Sequence, residues 1–149
     1  MIDHSKIPGS EKLIDLFGRW PPFHDGTVLW ARLDSDKTLL GDGPTFEVSI
    51  HGFTMTDEVD ARGYYILRDH VLVHLRFAGV MNIDLSTLSP MLLHSFTIEN
   101  HSDNEILFAV NFDTITTSAL DQDVSFDCRA IEVVSVVPCD EQGQPLTSA

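Results

Sequence analysis

The chain has 149 residues, 43% of them apolar, and a net charge of −14 from 23 acidic and 9 basic side chains. A mean hydropathy of +0.03 is that of a folded chain and excludes an extended acidic tail, and no apolar run approaches the roughly 18 residues a membrane span requires. So large an excess of anions repels phosphate backbones, which argues against DNA or RNA binding and for a basic protein partner.

Residues 1–9 have no apolar h-region behind Lys6, so no secretory signal is visible and a cytoplasmic location is expected. Ser10 is placed to cap a helix over about residues 10–18. Leu13, Ile14, Leu16 and Phe17 recur there at helical spacing, and Gly18 suits the left-handed residue that ends it. Pro21 and Pro22 forbid its continuation. From Thr27 the period changes to two. Leu29, Ala31 and Leu33 share one face, expected to be inward, with Trp30 and Arg32 opposite. Phe46, Val48 and Ile50 alternate next, then Val71, Val73, Leu75 and Phe77. Gly79 marks a bend before Met81, Ile83 and Leu85.

Phe96 and Ile98 belong to a further strand, and Ile106, Phe108, Val110 and Phe112 give the clearest alternation in the chain. A last strand runs from about Val124 to Val136 and slips near Ala130–Glu132, as a bulge would cause. Asp140 to Ala149 lack apolar anchors and are expected to trail into solvent as a flexible tail. Seven or eight strands without intervening helices predict a mainly β, single-domain protein. It should be an antiparallel β-sandwich or a curved, barrel-like sheet, with a short N-terminal helix and a β body over about 27–137.

Charge is unevenly spread. Residues 1–76 hold 12 acids and 8 bases; residues 77–149 hold 11 acids and Arg129 as their one base. Asp121, Asp123 and Asp127 are expected around a loop between the last two strands, with Asp113 on the approach, and are the candidate contact residues for a basic partner. Trp30 is a candidate aromatic anchor, or else a residue covered by the helix. The Asp cluster lacks the Asp-x-Asp-x-Asp-Gly spacing of a calcium loop. His70 and His74 share a strand face about 13 Å apart, too far to hold one metal. Cys128 reads as an inward thiol and Cys139 as an exposed one, with no disulfide framework. His24 and Asp25 sit beside Pro and Gly, where they would set a turn. No phosphate loop, nucleophile elbow or zinc-protease motif occurs, and no catalytic, cofactor-binding or metal-ligating residue is assigned.

Three segments resemble the immunity protein 50 family, small bacterial proteins that protect a cell from its own polymorphic toxins. They are Trp20-Pro21-Pro22-Phe23-His24-Asp25-Gly26, Leu75 to Val80 running into Ile83-Asp84-Leu85, and Phe126 to Ile131 with its continuation to Pro138. They fall in family order, with Trp20, Phe23, His24 and Asp25 as the motif residues. Ser86 to Leu93 depart from the family pattern. The resemblance implies a non-enzymatic, cofactor-free inhibitor of a cognate toxin. A basic nuclease is the target that the acidic charge favours. Two other readings stand beside it. One is a small β-fold enzyme using His24 with Asp25, Asp69 or His74 in a cleft. The other is a small-molecule-binding or self-associating β-module.

Overall fold

The computed structural model describes residues 2–35, 43–85, 91–101, 104–115 and 122–146. Its period-two segments form eight strands: β1 Thr27–Asp34, β2 Thr45–Val59, β3 Tyr65–Ala78, β4 Met81–Leu85, β5 Met91–His101, β6 Asn104–Ile115, β7 Gln122–Cys128 and β8 Ala130–Pro138. All lie in one antiparallel sheet of order β4-β7-β6-β5-β1-β2-β3-β8, which is mainly β as expected and is not closed into a barrel.

Two matched breaks fold this sheet over. β3 gives way to β4 across Gly79 and Val80, and β7 gives way to β8 across Arg129. Ala78 pairs with Ala130 on one side of the break and Met81 with Asp127 on the other, while the Arg129 N–H donates to Ala78 O at 2.9 Å. The two strands therefore turn the corner together. Gly79 stands at the bend with φ +66°, and a Cβ there would lie 3.0 Å from that of Arg129. The slip expected near Ala130–Glu132 is this corner, displaced to Arg129. A separate bulge falls between Ser135, which pairs with His74, and Val133, which pairs with Leu75.

The fold-over sets β1-β2-β3-β8 against β4-β7-β6-β5. Ring contacts show the two halves meeting: Phe77 lies 6.3, 6.1 and 5.1 Å from Phe96, Phe112 and Phe126, and Phe46 lies 6.4 and 5.1 Å from Phe112 and Phe126. The alternating residues read from the sequence fill the same core, including Val48, Ile50, Val73, Leu75 and Val110. Burying each phenylalanine contributes about 1.5–3 kcal/mol, before the entropy of ordering the chain is subtracted.

The helix, α1 (Glu11–Phe17), drops Leu13 into the core and ends at Gly18 in the left-handed conformation. Ser10 does not cap it. Its dihedrals are helical, and its Oγ donates to Ser5 O at 3.1 Å, because the chain enters α1 from a 3-10 turn at His4–Lys6. Among the described residues no helix is long and apolar enough to cross a membrane.

Three further expectations are corrected. Leu29, Ala31 and Leu33 are exposed. β1 skips a register position between Val28 and Trp30, and β5 pairs with it at Thr27 and Val28, so the core-side positions beyond are left uncovered. The start of the predicted tail is folded. Asp140 Oδ1 accepts the N–H groups of Gln142 and Gln144 at 2.9 Å each, and Leu146 N–H donates to Pro138 O at 3.0 Å. This turn buries Cys139, which was expected to be exposed.

Gly79→Ala should lower stability by about 1–3 kcal/mol, since it adds left-handed strain to crowding against Arg129. Chemical denaturation reads this as a lower midpoint at unchanged slope.

Candidate functional site

The Trp20 to Gly26 motif closes the seam opposite the corner. Its turn is made by Phe23 and Asp25, both at positive φ (56° and 65°), with Gly26 N–H donating to Phe23 O at 2.9 Å. Asp25 N–H donates to Leu93 O at 2.9 Å, and Leu93 N–H donates to Gly26 O at 2.8 Å, extending the short β1–β5 ladder. Phe23 is buried, 5.8 Å from Phe96 in one half-sheet. In the other half it meets Gly52, where a Cβ would lie 3.2 Å from the Phe23 ring. Trp20 stacks on His4 at 5.0 Å beside β5.

His24 and Asp25 do not point apart as they would on an extended chain. The positive φ values turn Asp25 Oδ2 to within 3.1 Å of His24 Nδ1, and the His24 ring lies 5.3 Å from that of His94. The recess of about 270 Å³ that His24 borders is lined also by Arg19 and Thr54, and otherwise by Phe17, Pro21, Pro22, Phe23, Phe53 and Met55. The other residues of the enzyme reading lie elsewhere: His74 Nε2 is 2.9 Å from Glu47 Oε1, and Asp69 is exposed on β3.

The outward positions of β4-β7-β6-β5 form the acidic surface. The register that turns Val110, Phe112 and Phe126 inward sets Asp113 opposite Asp123, Ala109 opposite Asp127, and Glu99 opposite Ala109. Asp84 pairs with Ser125 on the same face. Small residues at Ala109 and Ser125 leave a shallow depression of about 310 Å³, bordered by Asn82, Thr97, Glu99, Asn111 and Asp127. Asn82 Nδ2 donates to Asp127 Oδ2 at 3.0 Å, and Asn111 Oδ1 is buried with no hydrogen-bond partner among the described residues. Residues 77–128 contain no lysine or arginine. Asp121 lies outside the described residues, and Asp123 is placed here by its backbone register. Glu99 and Asp84 were missed in the sequence reading. Their spacing from the inward Ile98 and Ile83 is the signal that could have found them.

The opposite half-sheet is mixed in charge. Arg32, Glu47, Arg76 and Glu132 follow one another across β1, β2, β3 and β8, with Arg76 Nη1 3.4 Å from Glu132 Oε1. Trp30 lies on this face, 45% exposed and edge-on to His74 at 5.2 Å, so the structure does not join it to the acidic cluster. Under the Asp140 turn, His51 Nε2 meets His70 Nδ1 at 3.0 Å. Burial, then the neighbouring His70, lowers the His51 pKa, and Asp140 opposes this weakly. Burial, then Asp127, pushes the Cys128 thiol up to about 12; burial, then Asp140, raises Cys139. Both thiols are free, and among the described residues no cluster of His, Cys, Asp and Glu could hold a metal ion.

Phe23→Ala should cost about 3–5 kcal/mol by thermal or chemical denaturation, against under about 1 kcal/mol for His24→Ala. A loss at His24 equal to that at Phe23 would contradict the wedge. Because His51 has a depressed pKa in the folded state, the unfolded chain binds more protons in acid. Stability should fall as pH drops below about 6.5 toward the lower folded value. His51→Gln should flatten that slope, read as melting temperature against pH. No family model matches this sequence, and no curated protein or solved structure is significantly similar to it.

Proposed function

We propose that this chain is a cytoplasmic immunity protein that binds and neutralises a cognate bacterial toxin through the outer face of β4-β7-β6-β5. The observation that carries the reading is the segregation of charge. One half-sheet presents Asp84, Glu99, Asp113 and Asp127 outward within a stretch free of Lys and Arg, whereas the other mixes both signs. A scaffold with a single packed core supports such a role, because little ordering is needed on binding.

A nuclease is the target class that fits best. Its substrate groove must be basic to hold phosphate, so an acidic rigid face competes for the same cations. Attraction over a Debye length also speeds encounter and makes it sensitive to salt. Such inhibition needs neither cofactor nor metal, and the resemblance to the immunity protein 50 family supports the same role.

The test is co-expression with the product of the adjacent upstream gene, followed by titration calorimetry. A stable complex should form and weaken as salt rises. Glu99→Lys with Asp113→Lys should raise Kd by about tenfold or more, while Glu11→Lys on the helix leaves it within about twofold. An affinity indifferent to both salt and the double reversal would remove this face from the contact.

A further inference from the structure

Beyond Gly52 and Val71, β2 and β3 leave the sandwich as a two-stranded arm. β1 pairs with β2 no farther than His51, and β8 pairs with β3 no farther than Val71. Outside those limits Thr54 pairs with Arg68, Met55 with Leu67 and Val59 with Tyr65. The tip is held by Asp60, whose Oδ1 accepts the N–H groups of Arg62 and Tyr64 at 2.8 and 3.1 Å. Met55, Val59, Tyr64, Tyr65 and Ile66 are 48, 55, 66, 58 and 38% exposed, an apolar group gathered on the arm. An open strand edge with such side chains favours addition of another strand.

β1 is also open beyond Val28, where Leu29, Trp30 and Leu33 are exposed, but it is bulged between Val28 and Trp30 and carries the charged Arg32 and Asp34; the remaining edges are covered or blunted. β8 is overlaid by the N-terminal segment through Val133 N–H to Pro8 O at 2.8 Å and Lys12 Nζ to Val134 O at 3.2 Å. β4 is five residues long and carries Asp84. On the arm itself, β2 is distorted between Met55 and Val59, where Thr56 Oγ1 accepts the Glu58 N–H at 3.2 Å and Asp57 and Glu58 add charge. The β3 edge from Tyr65 to Leu67 lacks these devices; charge enters at Arg68, and the strand's own irregularity comes at Asp69, whose φ is 56°.

We propose that this β3 edge is a homodimer contact, pairing antiparallel with the same edge of a second copy about a two-fold axis. Charge selects that occupant. Two chains of −14 repel over most of their surface, but residues 54–69 set Arg62 and Arg68 among Asp57, Glu58, Asp60 and Asp69, a net of −2. The arm is therefore where a second copy meets little repulsion, whereas a strongly basic partner is drawn to the acidic face. A two-fold axis makes the contact self-complementary. With the axis at Leu67, Arg68 faces Ile66 and the pairing ends before the left-handed Asp69, so no like charges oppose.

Sedimentation velocity of the full chain, taken to millimolar concentration at low salt and at about 1 M salt, tests this. Charges are screened beyond about 3 Å at the higher value. A reversible dimer should form, and its Kd should fall as salt rises, the reverse of the salt effect expected for the toxin complex. Ile66→Lys should raise Kd by about tenfold or more with unchanged far-UV circular dichroism, and Tyr65→Lys should do the same. A chain that stays monomeric at both salts overturns the proposal, as does a dimer that both variants leave intact. Either result leaves the acidic face untouched.

Discussion

The structure depends on a single sheet having to supply both layers of its own core. Phe46 and Phe77 need apolar partners across a gap, and those partners, Phe96, Phe112 and Phe126, belong to the same sheet. The chain meets this demand by bending β3–β4 and β7–β8 together, so that the backbone ladder is interrupted for a residue or two while each strand carries on into the other layer. A left-handed residue without a Cβ is required at such a corner, because the turning strand brings Arg129 against it. The opposite side has no strand that runs through. There a ladder of two residue pairs is extended by the Asp25–Leu93–Gly26 backbone bonds and wedged by Phe23.

That arrangement determines what the surface is free to do. Inward positions are committed to the core, so charge can vary only at the alternating outward ones, and the two outer faces have diverged. On β1-β2-β3-β8 acids and bases alternate across neighbouring strands, the pattern that favours cross-strand pairs. On β4-β7-β6-β5 Asp113 stands opposite Asp123, the pattern that such pairing disfavours.

Much of this was legible in the sequence because β-structure with one buried side writes itself in a period of two. Phe46, Val48 and Ile50, Val71 to Phe77, and Val110 to Phe112 all fell inward as read. Gly79 was legible as a bend for the same local reason. What could not be read was long-range. Nothing near Leu33 says that β5 leaves β1 after Val28, so its side chain was assigned a cover it lacks. Cys139 is buried by a turn that Asp140 makes with the residues after it, a local feature hidden by the lack of apolar anchors. The acidic face was half legible: the Asp residues of β7 stood out as a cluster, while Glu99 and Asp84 join them through pairing between distant segments.

The three segments that resemble the immunity protein 50 family all lie at joints of this fold. Trp20 to Gly26 forms the seam, Leu75 to Leu85 spans the corner at Gly79, and Phe126 to Ile131 spans the matching corner at Arg129. In this chain their chemistry is that of closing a sandwich: a wedge, a left-handed glycine and paired backbone bonds. A likeness concentrated at joints speaks to architecture and leaves the choice of partner to side chains outside the motifs. Asp84 and Asp127 fall within the resembling segments, but Glu99 and Asp113 do not, and it is the register of β5 and β6 that brings these two to the same face. The charge of that face is therefore set by the register of distant strands and not by the joints.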